Sequence, residues 1–387
     1  MGFRVIKEEM INRDLRTWVE IDETAVQSNA RLLRSIIGPR VKLWAVVKSN
    51  AYGHGIFDMP PLLSKTRLIY GFCVDSLVEG VKLREMGIKE PILVLGLTLP
   101  KFWGLAAENK ITVTISNFDV LDSFLDSKEK PFFHLKIDTG MHRQGFYVED
   151  LHRVFERLKK MQNSELLSGI YTHFASAKDL NYPGYTDKQF EGFQAAIKIA
   201  AKAGFKNLMR HAAATGGALI NKKYHLDAVR IGIGLYGLWP SKELEIQMPQ
   251  LTFHPVLSWK TVVGEIKDLR RGDFVGYDLV ERVSRDSKIA VLPLGYWHGF
   301  PRSLSSTGEV LVGNKRARVL GRVSMDMIVV DITGIKCKYG DEAVVIGGAG
   351  EEYISASEVA AKAGTSAYEI VTRINPLTQR VIWKKDR

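Results

Sequence analysis

Short apolar runs rich in β-branched residues alternate with amphipathic stretches along most of this chain, and the pattern changes once, near residue 250. Before that point eight runs predict strands, at residues 43–48, 68–74, 92–95, 111–115, 132–137, 167–174, 207–211 and 229–236. The intervals read as helices, for instance 75–86, 150–161 and 187–203, and another, 25–37, precedes the first strand. This alternation is the signature of parallel strands joined by helices. Eight such repeats in about 240 residues are what a closed, TIM-like (β/α)8 barrel needs. Beyond residue 251 the runs are divided by Gly and Asp turns, at 258–267, 308–312 and 319–330, which predicts a mostly antiparallel β-rich C-terminal domain. Residues 240–250 read as the connection and 357–363 as one short helix. The expected fold class is therefore α/β, with a barrel over residues 1–250 and a β-rich domain over 251–387; the first residues of the chain are free to pair with the second domain.

A barrel makes a statement about chemistry, because its reactive groups sit at the C-terminal ends of the strands. Lys48 closes the first run and opens the glycine-flanked turn Ser49-Asn50-Ala51-Tyr52-Gly53-His54-Gly55. Beside Trp44, Val46 and Val47 its ammonium is expected to be partly desolvated, which favours the neutral amine that condenses with carbonyls. The alternative is a lysine whose stem packs on the rim while its head reaches water. Lys136 and Asp138 close the fifth run with Arg143 just beyond, His173 lies near the end of the sixth, His211 ends the seventh, and Arg230 lies in the eighth.

Composition narrows the class. The chain has 387 residues, 45% of them hydrophobic and 25% charged, as in a soluble globular protein of two domains. Its formal charge of +11 is spread along the sequence and nowhere interleaved with stacking aromatics, which argues for small anions and against nucleic acid. Two distant cysteines, Cys73 and Cys337, suggest neither a disulfide framework nor a metal site and fit a reducing cytoplasm. Residues 1–13 lack the apolar run of a signal peptide, and no segment is long enough to span a bilayer.

Arg230-Ile231-Gly232-Ile233-Gly234 after the eighth run and Thr215-Gly216-Gly217 after the seventh place glycines and a hydroxyl at the usual phosphate site of this barrel. An amine at the first strand and a phosphate cradle at the last two suggest pyridoxal phosphate, whose aldehyde and phosphate are separate handles on one ring. Here the resemblance becomes specific. Ala45-Val46-Val47-Lys48 with Ala51-Tyr52-Gly53-His54-Gly55 resembles the cofactor-lysine motif of the alanine racemases, and the likeness runs from Trp18-Val19-Glu20-Ile21-Asp22 into the C-terminal domain.

The resemblance implies a cytoplasmic homodimer that shares two active sites, contributes its β-domain to the partner's site, and converts L-alanine to D-alanine for peptidoglycan, with no metal, nucleic acid or membrane involved. Carried over residue by residue, it makes Lys48 the aldimine lysine and one catalytic base. Tyr277, in Val275-Gly276-Tyr277-Asp278, is the second base, given from the partner subunit. Tyr52, His173, Thr215, Arg230, Gly232 and Ile233 fall to the cofactor, with Arg230 facing the pyridine nitrogen. Arg143 and Met325 fall to the substrate, with Lys136, Tyr296, Arg322 and Asp326 in support; Lys136 matches a position that is carbamylated in some members. An arginine stays protonated and donates without giving up a proton, whereas a tyrosine, at pKa about 10, needs nearby donors or positive charge to act near neutrality. His173 and Arg230 are the expected tuners of Tyr277.

The chain departs from the family pattern in several places. Ala214 stands where an amide is usual, Trp297 and His298 replace a small residue and an aspartate after Tyr296, Ile231 follows Arg230 where proline is common, and Pro376 occupies the place of a phosphate-contacting tyrosine. Two competing readings remain: a racemase or decarboxylase acting on other amino acids, and a non-catalytic pyridoxal phosphate carrier built on the barrel alone. The β-domain with Tyr277 and Met325 argues against the carrier.

Overall fold

Thr17–Asp22 forms the first strand, β1, and it joins a different sheet from the strands that follow it. The computed structural model describes residues 15–161, 163–181 and 183–384, so the expectation for residues 1–13 lies outside the described chain. Two compact units emerge. One comprises Ala25–Ala51 and Met59–His254; the other runs up to Thr24 and from Pro255 onward, and includes Tyr52–Asp58.

The first unit is a closed barrel of parallel strands: β2 (Lys42–Val46), β3 (Gly71–Val74), β4 (Ile92–Val94), β5 (Ile111–Ile115), β6 (Phe133–Lys136), β7 (Leu167–Tyr171), β8 (Met209–Ala214) and β9 (Ala228–Ile231), with β9 closing on β2. Four of these eight strands, β3, β4, β6 and β9, are buried along their whole length, as parallel strands covered on both faces tend to be. Helices between them start on side-chain caps: Ser76 and Glu79 form a capping box at Leu77–Glu85, and Asn117 accepts from the Val120 N–H at Phe118–Asp126. Trp103 and Phe124, on two helices, meet edge to face with ring centroids 5.5 Å apart, and Phe124 packs on Phe133 of β6.

In the second unit lie β10 (Leu257–Val262), β11 (Glu265–Leu269), β12 (Phe274–Val275), β13 (Glu281–Arg282), β14 (Ser287–Leu292), β15 (Glu309–Val312), β16 (Lys315–Leu320), β17 (Ile328–Asp331), β18 (Glu342–Ala349), β19 (Glu352–Ile354) and β20 (Gln379–Trp383). The main sheet runs β11-β14-β17-β16-β15-β18-β10-β1-β20, with β19 on β18, while β12 and β13 form a separate hairpin. Along β10 buried and half-buried residues alternate, the mark of a sheet with one covered face. Strand β1 pairs antiparallel to β10 and parallel to β20.

Several boundaries differ from the sequence expectation. The eighth barrel strand ends at Ile231 and residues Ile233–Tyr236 coil into a 3-10 turn. The seventh runs on to Ala214 through an irregularity between His211 and Ala214, which puts His211 inside the strand. The run at 258–267 is two strands broken at Val263 and Gly264, and that at 319–330 breaks into β16 and β17 around a loop carrying Arg322, Met325 and Asp326. The 240–250 connection contains the helix Lys242–Gln247, capped by Ser241. A second C-terminal helix, Ala367–Thr372, follows Ala356–Ala363; each begins on a serine that accepts from the N–H of a glutamate three residues on.

Candidate active site

Strand β2 ends at Val46, the Val47 N–H still reaches Cys73 O at 2.9 Å, and the chain then turns left-handed. Ser49, Asn50, Ala51 and Tyr52 all have φ between 51° and 56°, a conformation that costs an L-residue about 1–2 kcal/mol each. Neighbours hold it in place: the Ala51 N–H donates to Val47 O at 3.0 Å, and the Ser49 N–H donates to Glu79 Oε1 at 2.6 Å. The other oxygen of Glu79 accepts from the Asp75 and Ser76 N–H groups. Lys48 itself is not enclosed by the apolar residues before it. Its side chain is 37% exposed and its Nζ lies 3.3 Å from Asp75 Oδ1.

Arg230, in β9, is 3% exposed and its guanidinium is satisfied from below. Nη1 lies 2.6 Å from His211 Nδ1; Nη2 donates to Thr172 O at 2.7 Å and Ala212 O at 3.0 Å, and reaches His173 Nδ1 at 3.3 Å. His211 Nε2 lies in turn 2.9 Å from His134 Nδ1, and its ring stacks on Tyr171, whose hydroxyl meets Thr114 Oγ1. Burial first, and then the Arg230 charge, push His134 down to about 3 and His211 well below the usual histidine range. Burial with Arg230, Arg143, Lys136 and Lys48 around it brings His173 down to about 3 as well.

Lys136 at the end of β6 is 7% exposed and donates to Gln144 Oε1 at 2.9 Å. Burial, with Arg230, Arg143 and Lys48 adding to it against Asp138, brings its amine down to about 8. The loop after β6 wraps around Asp138: Oδ1 accepts from the Gly140, Met141 and His142 N–H groups and Oδ2 from that of Arg143. Burial alone would raise that carboxyl, but the backbone donors outweigh it and hold it below the ordinary range. Arg143 is thereby presented on an exposed loop whose backbone is fixed.

Thr215 opens the short helix Thr215–Ile220, and its Oγ1 accepts from the Gly232 and Gly234 N–H groups at 3.3 and 3.4 Å. The two glycine segments after β8 and β9 therefore meet at one hydroxyl, with Ile233 between those glycines. Ala214 stands beside Arg230 in the strand register.

The remaining sequence-predicted residues lie in the other unit. Tyr52 is the last non-glycine residue of the left-handed turn, and its ring lies 6.1 Å from that of Tyr368. Tyr277 heads a 3-10 turn in which Asp278 and Leu279 take positive φ; it is 67% exposed, and Arg322 Nε reaches Asp278 Oδ2 at 3.4 Å. The Tyr296 N–H donates to Ser324 O and that of Trp297 to Met325 O, so the Gly295-Tyr296-Trp297-His298 loop is tied to the loop bearing Met325 and Asp326. Gly295 permits this approach, since a Cβ there would stand 2.3 Å from the carbonyl oxygens of Ser324 and Met325. His298 Nδ1 accepts from the Gly295 N–H. Tyr277, Tyr296, Trp297 and Met325 are all exposed.

His134, Tyr171 and Gln144 carry no motif and escape a reading by strand ends, because their positions matter only once β6, β7 and β8 are neighbours; His211 was expected at a strand end but not in contact with Arg230. Among the described residues no group of His, Cys, Asp and Glu could hold a metal, and no helix is long and apolar enough to cross a membrane. The barrel instead gathers four cationic side chains, Lys48, Lys136, Arg143 and Arg230, close enough to act on one another or on His173. Asp138 is spent on backbone donors. A primary amine within such a surplus of positive charge fits a ligand bearing both a carbonyl and anionic groups, the chemistry of pyridoxal phosphate.

The family model described as alanine racemase, N-terminal domain, matches residues 21–240, and that for the alanine racemase C-terminal domain matches residues 256–382. Alanine racemase of Leptospira interrogans serogroup Icterohaemorrhagiae serovar copenhageni is 36% identical over 383 residues, covering 95% of each chain. Alanine racemase 1 of Bacillus subtilis is 35% identical over 374 residues, 94% of this chain and 92% of that one. The crystal structure of alanine racemase from Bacillus anthracis with bound L-Ala-P superposes with a TM-score of 0.90 at 34% identity, over 95% of each chain. With both domains matched in order and nearly the full length aligned, the chain belongs to the alanine racemase family.

Proposed function

We propose that this chain interconverts L-alanine and D-alanine with pyridoxal phosphate as cofactor, by proton transfer at Cα between two bases, Lys48 and Tyr277 of the partner subunit. The observation that carries the reading is the barrel's cation cluster, in which an amine and a buried, donor-only arginine stand at the ends of the first and last strands. Lys48, Tyr52, His173, Thr215, Arg230, Gly232 and Ile233 would hold the cofactor. When bound, it supplies an electron-withdrawing ring that acidifies the substrate Cα–H.

Lys48 Nζ takes or returns the Cα proton on one face, and the Tyr277 hydroxyl serves the other. Arg143 pairs with the substrate carboxylate, its loop fixed by Asp138; Met325 is assigned to the substrate, with Tyr296, Arg322 and Asp326 in support. Arg230 donates hydrogen bonds without transferring a proton, which keeps negative charge at Cα and favours return of the proton there. Exposure of Tyr277, Met325 and Trp297 supports a homodimer in which this face meets a second copy. In a cell the product would serve peptidoglycan, and the site of action would be the cytoplasm.

The test is direct: the purified protein should abolish the optical rotation of L-alanine and show the visible absorbance of lysine-bound cofactor, and Lys48→Ala should lose both. Retention of racemisation by that variant would overturn the assignment. A panel of other amino acids separates alanine from broader specificity, and cofactor binding without any racemisation would identify a carrier.

A further inference from the structure

Arg380 spends its guanidinium on backbone carbonyls. From β20, where it pairs with Val19 of β1, its Nη2 and Nε donate to Gly53 O at 2.7 and 3.2 Å. Nη1 donates to Asn375 O at 2.8 Å, to Pro376 O at 3.1 Å and to Thr378 O. A partly buried arginine whose donors converge on two separate chain segments is a clamp, since each carbonyl would otherwise need its own partner. Asp58, in the same unit, supplies the opposite charge; burial pushes its carboxyl up to about 6 against the pull of Arg380.

One of the clamped segments is the far end of the left-handed turn. Gly53 has φ +81°, and a Cβ there would stand 1.7 Å from Val371 O, so Gly53 lies directly on the helix Ala367–Thr372. Strained backbone persists only where its surroundings over-determine it. Glu79 does this at Ser49, and Arg380 does it at Gly53, the residue after Tyr52. The other clamped segment contains Pro376, which has no hydroxyl to offer a phosphate.

We infer that Arg380 is a positioning residue for the cofactor's phosphate: by holding Gly53 O it fixes the direction of Tyr52. The inference rests on the proposed reading of Tyr52 as a phosphate ligand. Apo-protein titrated with pyridoxal phosphate and with pyridoxal, which lacks the phosphate, separates this role from general stabilisation. Arg380→Lys should weaken pyridoxal phosphate about tenfold or more and leave pyridoxal affinity unchanged. In a Tyr52→Phe background the same substitution should cost little further. Equal weakening of both ligands, or no weakening in a folded variant, would overturn the inference. If Arg380→Lys does not fold, Asp58→Asn, which loosens the guanidinium without removing it, must show the same preference, and equal affinities there would refute it. Failure of the unsubstituted protein to bind pyridoxal phosphate would instead overturn the functional reading itself.

Discussion

Arg230 Nη1 lies 2.6 Å from His211 Nδ1, and because a guanidinium only donates, that nitrogen must carry a lone pair. His211 is then neutral with its proton on Nε2, which donates to His134 Nδ1 at 2.9 Å, and His134 is fixed as the Nε2–H tautomer by the same logic. The chain of acceptors ending on Arg230 keeps the arginine a permanent donor and leaves no proton for it to exchange.

This relay sets the acid limit of stability. Histidines depressed in the folded state bind fewer protons than in the unfolded chain between their folded and unfolded pKa values, so stability is complete above about pH 6.5 and falls as the pH drops toward 3. At pH 5 the loss is about 2 kcal/mol for His134 alone. Calorimetric melting between pH 8 and pH 4 should show the decline, and replacement of His134 by a non-titrating residue in a folded variant should flatten it.

Tyr277→Phe should lower turnover by about a hundredfold or more while cofactor remains bound. Solvent-deuterium incorporation from one enantiomer should suffer more than from the other, since only one face loses its base. Ordinary racemisation by this variant refutes the two-base assignment, and a fully active monomer at high dilution refutes the contribution of Tyr277 from the partner subunit.

Asp138→Asn removes a charge that four backbone N–H groups share, so the loop presenting Arg143 should loosen. Charge-assisted hydrogen bonds are worth about 1.5–3 kcal/mol, and the expected result is a KM for alanine raised about tenfold with a smaller change in kcat. A change confined to kcat would separate Asp138 from substrate binding.

Lys136, with its amine brought down to about 8, is largely charged at pH 7 and largely neutral at pH 9. Competitive trace labelling with a small reagent such as cyanate should give a titration midpoint near pH 8 for Lys136, well below that of exposed lysines. A midpoint above 10 would show that the surrounding cations and burial do not act on it.

The alternation of apolar runs was enough to read the barrel and the β-rich second part, and local motifs were enough to nominate Lys48, Arg143 and Tyr277 as candidates. Strands buried on both faces must be uninterrupted apolar runs, and Lys48, Arg143 and Tyr277 sit in local motifs whose order survives without the fold. Strand ends were legible only to within a few residues, because backbone pairing past the apolar run, as at Val47, and turns into 3-10 geometry, as at Ile233, depend on neighbours. Nothing short of the folded chain reveals that Lys48 pairs with Asp75 at a partly exposed position, that His134, His211 and Arg230 form one relay, and that Gly53 hangs on Arg380, 327 residues away. Those facts arise from side chains and carbonyls brought together across strands and across the chain, where proximity, and not local composition, sets both hydrogen bonding and charge.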